Sequence, residues 1–191
     1  RKTQLLRGTN IRFVACSRWL GNMASNSRLL QGKKVTCIPN AINTNLFKPR
    51  NKQTCRTSLG LPHDKRLVLF SSHILGDERK GFHYLKESLI RLTSEHAEWK
   101  EHLGLVLVGK DITPALYQDI PLEVYPLNYI ADEKQLVAIY NAVDLFAIPS
   151  LQDNLPNTIV EAMACGIPCI GFNVGGIPEM IDHLHNGYVA E

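Results

Sequence analysis

The chain has 191 residues, 45% of them apolar, and a net charge of +3; this suffices for one domain with a sizeable core and gives no argument for nucleic acid as a partner. No apolar run reaches the length of a membrane span and no signal peptide is read; the expected location, the cytoplasm or its face of a membrane, follows from the cysteine usage. Five cysteines, Cys16, Cys37, Cys55, Cys165 and Cys169, form no C-x-x-C pair and read as small core residues of a reducing compartment rather than a disulfide or zinc framework.

In chain order, residues 11–15 predict a short apolar strand, and Ser17 an N-cap for a helix to about residue 30, closed by Gly32. Residues 33–39 predict a second strand, followed by the turn Asn40-Ala41-Ile42-Asn43. Residues 51–59 suit a short helix stopped by Gly60 and Pro62, and residues 67–72 an uninterrupted apolar strand buried on both faces. The loop 73–81 carries Asp77-Glu78-Arg79-Lys80-Gly81 into a helix over 82–94. Next come a strand at 105–109, a short helix opened by Thr113-Pro114, and an edge-like strand at 122–127 containing Pro126. Asp132 caps a helix to Asn141 whose apolar face is Leu136, Val137, Ile139 and Tyr140. This alternation predicts an α/β fold, a Rossmann-like parallel sheet with helices on both faces.

The most informative stretch is 144–172: an apolar strand from Leu145, a polar turn, a short helix ending at Cys165 before Gly166, and a strand from Pro168. In such a unit the turn lies at the carboxyl edge of the sheet, where ligands bind, and feeds a helix amino terminus suited to an anion. A phosphate on the N–H groups of residues 154–158 leaves Asp153 in the turn and Glu161 in the helix free to accept hydroxyl hydrogens. Phosphate plus hydroxyls points to a nucleotide sugar. Thr158-x-x-Glu161 also fits a capping box, but Pro156 favours a helix that begins before Thr158. Lys80 is the expected point charge on the phosphates, with Arg79 as the alternative fork.

The acidic residues Asp153 and Glu161 with seven between them, followed by EAMACGIP and GGIPEMI, resemble the signature of retaining GT-B glycosyltransferases, especially the GT4 family. The resemblance implies that Asp153 faces the donor sugar, Glu161 holds the ribose, and Asn154, Leu155, Asn157 and Thr158 line the donor site. It further implies that Lys80 touches the diphosphate. Asp153 stands where Glu is commoner, and Ser71, Ser72 and His73 stand where the family has Gly-Arg. Residues 125–129 are implied against the base, Tyr125 and Tyr129 among them, and the turn 173–179 near the donor. Residues 1–48 resemble the end of an N-terminal lobe and its crossover, with Phe47 and Pro49 matching and Ala41 replacing a Gly. Residues 49–191 resemble the nucleotide-sugar-binding lobe. The chain thus reads as a piece of a longer protein, inactive alone. The missing lobe would present a glycan or lipid-linked acceptor and any peripheral membrane contact.

Asp144 stands alone at the start of its strand, and without an Asp-x-Asp no metal or other cofactor is expected. His183-x-His185 falls in a polar loop with no third ligand and reads as a solvated pair. Glu179 reads as the cap of the short helix after it. A dinucleotide-dependent dehydrogenase needs a G-x-G-x-x-G that is not present. A catalytically silent sugar-nucleotide binder or flavodoxin-like interaction module remains the alternative from another class.

Overall fold

The structure, a computed structural model, describes residue 6 and residues 9–191. A two-stranded parallel sheet comes first: β1 (Phe13–Ala15), helix α1 (Arg18–Ser25) and β2 (Val35–Cys37). Ser17 caps α1 by accepting from the Leu20 amide, but the helix stops at Ser25 rather than near residue 30. Asn26 already closes it, and Ser27 binds the Ala24 carbonyl in a turn that draws the chain out of the helix.

Beyond α2 (Lys52–Leu59), capped by Asn51 and stopped by Gly60 in the left-handed region, six strands form one parallel sheet. They are β3 (Arg66–Ile74), β4 (Leu103–Lys110), β5 (Glu123–Pro126), β6 (Leu145–Ile148), β7 (Cys169–Phe172) and β8 (Gly187–Ala190). The connecting helices are α3 (Phe82–Glu95), α4 (Trp99–His102), α5 (Pro114–Tyr117), α6 (Glu133–Ala142) and α7 (Asn157–Ala164). Among these helices only the four-residue α4 has no counterpart in the sequence expectations.

The strand period of two sorts the core into two layers. Leu67, Leu69, Val106 and Val108 face α2, α6 and α7, whereas Val68, Phe70, Leu105 and Leu107 face α3. The strand order is β5-β4-β3-β6-β7-β8 with every pairing parallel. Chain direction across the sheet therefore reverses between β3 and β6, the place where open α/β sheets bind ligands beyond the carboxyl ends of their strands. As expected from Pro126, β5 lies at an edge.

Asp144, with no second acid beside it in sequence, is held by basic partners. Its carboxylate meets Lys52 Nζ at 2.7 Å, the buried Arg56 guanidinium at 2.7 Å and the Leu67 amide at 2.8 Å. Burial opposes the charge, but these donors hold its pKa below the ordinary carboxylate value. This cluster pins α2 to the amino ends of β3 and β6, away from the switch point. The expectation of core cysteines holds for the buried Cys55, Cys165 and Cys169 and is corrected for two: Cys37 is exposed and Cys16 half-buried, because the two-stranded sheet is too small to cover both its faces.

Candidate functional site

Three loops meet at the carboxyl edge. The loop after β3 ends in a turn over Glu78–Lys80 that Asp77 caps through the Arg79 amide. The loop after β6 carries residues 149–156. Gly81, at φ +70°, approaches so closely that a Cβ there would lie 1.8 Å from the Pro149 carbonyl oxygen. The Leu151 amide donates to the Arg79 carbonyl at 2.8 Å. The third loop presses on the second: a Cβ on Gly175 would fall 1.7 Å from the Asp153 carbonyl oxygen, and one on Gly176 equally close to that of Asn154. Only glycine admits these contacts.

The clasp brings Lys80 and Asp153 together, Nζ to Oδ2 at 2.7 Å, although 73 positions separate them in the chain. Arg79, Gln152, Asn154 and Trp19 line the same cavity of about 280 Å³. Arg79 itself is engaged by Asp77 at 2.8 Å, which leaves Lys80 as the cation directed at Asp153. Among the described residues, Ser150 Oγ at the exit of β6 is fully buried without a hydrogen-bond partner.

Helix α7 begins at Asn157, with Pro156 in the N-cap position and no side chain capping it. Thr158 is inside the helix, so the capping box does not form. Glu161 instead accepts a 2.8 Å hydrogen bond from the hydroxyl of the fully buried Tyr140. Burial raises the Glu161 pKa; the Tyr140 hydrogen bond opposes that rise and the charge of Glu133 adds to it. Glu161 and Asn157 line a second cavity of about 210 Å³ with Asn40, Ala41, Ile42 and Asn43. The Asn40 amide nitrogen donates to Asn157 Oδ1 there at 2.8 Å.

Leu155 lines a third cavity, with Cys16, Pro39 and Glu179. The expected residues thus group as Lys80, Arg79, Asp153 and Asn154 in one cavity, Asn157 and Glu161 in another, and Leu155 in the third. Thr158 is half-buried in the first turn of α7.

The two tyrosines implied at the base separate. Tyr125, in β5 and paired with Val106, packs its ring over Gly104 near the amino end of β4, where a Cβ would come within 2.9 Å of the ring, and against the apolar core, away from the carboxyl edge. Tyr129 is exposed at the exit of β5. Lys110 Nζ sits 4.9 Å from its ring centroid and the His73 ring meets it edge-on at 5.3 Å. His73, one of the three residues standing where a Gly-Arg is expected, also has its Nε2 3.4 Å from Lys110 Nζ, a lysine of β4.

Glu179 does not serve the turn it belongs to. Its carboxylate accepts from the amides of Arg18 at 2.9 Å and Trp19 at 2.6 Å, the first turn of α1. Beside it, Ser17 Oγ donates to Asn154 Oδ1 and Asn154 Nδ2 donates to Cys16 Sγ. Trp19, Tyr140 and the reach of Glu179 to α1 escape the sequence, since each depends on neighbours far along the chain. The one local signal is a tyrosine on the apolar stripe of α6, whose hydroxyl needs a partner once buried.

The sequence profile of the family described as Glycosyl transferases group 1 matches residues 65–191. A D-inositol 3-phosphate glycosyltransferase from Thermobispora bispora is 28% identical over 83% of this chain, which spans 39% of that protein. The N-acetyl-alpha-D-glucosaminyl L-malate synthase of Bacillus anthracis is 38% identical over a shorter stretch, 33% of this chain and 16% of that protein. Among solved structures, sucrose-phosphate synthase from Thermosynechococcus elongatus superposes with a TM-score of 0.80 at 23% identity, over 98% of this chain and 47% of that one. Anabaena HepE in complex with UDP and glucose does so with 0.73 at 24% identity, over 98% and 51%. The chain spans about half the length of these relatives or less, and its fold is that of one lobe of a GT-B glycosyltransferase. It belongs to the group 1 glycosyltransferase family.

Proposed function

We propose that residues 49–191 form the donor-binding lobe of a retaining, GT4-type glycosyltransferase, and that residues 1–48 belong to the end of the opposing lobe and the crossover. The donor is a nucleoside-diphosphate sugar of the UDP or GDP type, and the acceptor a glycan or lipid-linked glycan presented by the rest of the full protein. The observation that carries this reading is the Lys80–Asp153 contact at the switch point of the sheet, a cation suited to a diphosphate beside an acid suited to a sugar.

In this reading the diphosphate displaces Asp153 from Lys80 and takes N–H groups at the uncapped start of α7. Lys80 and these dipoles then stabilise the charge that develops on the leaving diphosphate without needing a metal, a preorganised electrostatic effect. The freed Asp153 carboxylate faces the anomeric carbon as it becomes cation-like. Glu161, held in orientation by Tyr140, accepts from the ribose hydroxyls. Tyr129, Lys110 and His73 supply an aromatic and cationic surface for the base and its neighbouring phosphate.

The relatives' printed activities, glycosyl transfer to inositol 3-phosphate or to malate, support the reaction class and leave the acceptor of this protein to experiment. Titration of UDP-, GDP- and ADP-sugars into the chain and into Glu161→Ala tests the reading. One donor class is expected to bind and to lose affinity in the variant; equal affinity in both refutes the ribose assignment. The chain by itself is expected to bind donor weakly and not to turn over. Robust transfer from it would contradict the division into lobes.

A further inference from the structure

Trp19 is the one residue lining the Lys80–Asp153 cavity that comes from the two-stranded unit rather than from the carboxyl-edge loops. Its position is unusually constrained. The Arg18 and Trp19 amides both donate to Glu179, and the Leu20 amide to Ser17 Oγ at 3.0 Å, so the first three amides of α1 are all held. Ser17 is 1% exposed and donates in turn to Asn154, the neighbour of Asp153. A Cβ on Gly176 would come within 3.1 Å of the Ser17 Cβ, so the loop that carries Glu179 is itself seated on this junction.

We infer that Trp19 is the wall against which the donor sugar packs, and that Glu179 is the positioning residue that holds it there. This rests on the nucleotide-sugar reading above and goes beyond it by naming what selects the sugar. The cavity, about 280 Å³, falls just below the roughly 300–1,000 Å³ of pockets for drug-sized ligands, which is room for one pyranose ring and not for an oligosaccharide. Its polar partners, Asp153, Asn154 and Gln152, suit hydroxyl groups. The half-buried indole supplies the large, rigid apolar surface that the C–H face of a sugar ring requires. Glu179 touches neither sugar nor phosphate. It acts by fixing the backbone of residues 18 and 19, so that the indole does not have to be ordered when the sugar arrives.

The test is calorimetric titration of UDP, UDP-glucose, GDP and GDP-mannose into the chain and into Trp19→Ala, Trp19→Phe, Glu179→Ala and Glu179→Gln, with thermal melts to confirm folding. For the nucleotide sugar that the chain binds, Trp19→Ala is expected to weaken affinity about tenfold, the scale of one well-packed contact, while the matching free diphosphate changes less than about twofold. Trp19→Phe retains most of the affinity because it keeps an aromatic face. Glu179→Ala reproduces the sugar-selective loss, and Glu179→Gln restores part of it through its remaining acceptor oxygen. A loss shared equally by diphosphate and nucleotide sugar, or no loss in either alanine variant, overturns the assignment while leaving the nucleotide reading intact. A wild-type chain that binds none of the four probes overturns both.

Discussion

Lys80 and Asp153 neutralise one another across the switch point, and this sets the sign of two substitutions. With Asp153→Asn the lysine charge is released to an incoming diphosphate, so free nucleoside diphosphate is expected to bind about three- to fivefold tighter, the size of a partly exposed ion pair. Lys80→Met is expected to lower the same affinity about tenfold or more by removing a charge-assisted contact. Isothermal titration reads both, and the opposite sign for Asp153→Asn would mean that the aspartate is not competing for the lysine.

Glu161 gives a second residue-scale prediction. Its carboxyl titrates higher in the folded chain than in the unfolded one because it is buried, so the folded state favours the proton and loses stability as pH rises from the unfolded value through the folded one. Glu161→Gln is therefore expected to raise the urea midpoint at pH 7, with the gain vanishing near pH 4, while nucleotide affinity falls. In the proposed reading this substitution therefore moves stability and nucleotide affinity in opposite directions.

Among the elements, the one between β6 and β7 is the most legible in sequence. Its apolar strand, Pro156 before the helix and Gly166 after it are local signals, and α7 begins and ends where they place it. The edge position of β5 follows from Pro126 in the same way. What the sequence does not disclose is contact between elements. Glu179 and Arg18 are 161 positions apart, and Asp144 collects Lys52 and Arg56 from a helix some 90 positions earlier (separations 92 and 88); no periodicity encodes either pairing. The residues expected at the donor site are read from types and spacing, whereas their distribution over neighbouring cavities depends on how residues 37–43 pack beside α7.

Two predictions test elements rather than residues. Gly81→Ala is expected to push the β3 loop off β6, since its Cβ has no room against Pro149. Nucleotide affinity should then fall with it, as judged by titration against the melting temperature. Asp144→Ala is expected to destabilise the chain by about 3–5 kcal/mol, because it leaves the buried Arg56 charge unpaired. The folded Asp144 pKa lies below its unfolded value, so its contribution is complete above about pH 3.9 and is lost as pH falls through the folded pKa. Denaturant curves should show a constant gap between wild type and variant above about pH 3.9, narrowing only as pH falls below it.

At the scale of the whole molecule, the Asp144 cluster fastens the amino edge of the parallel sheet, while the carboxyl edge is held by glycine-mediated contacts between loops and by the Glu179 and Ser17 junction with α1. In the proposed reading, stability and ligand binding thus belong to opposite edges. Hydrogen exchange followed by mass spectrometry, with and without a saturating nucleoside diphosphate, tests this division most directly. Protection is expected over residues 77–82 and 150–159 with residues 62–67 and 142–145 unchanged; protection confined to the amino edge, or none at the β3 and β6 loops, would contradict a diphosphate site at the switch point.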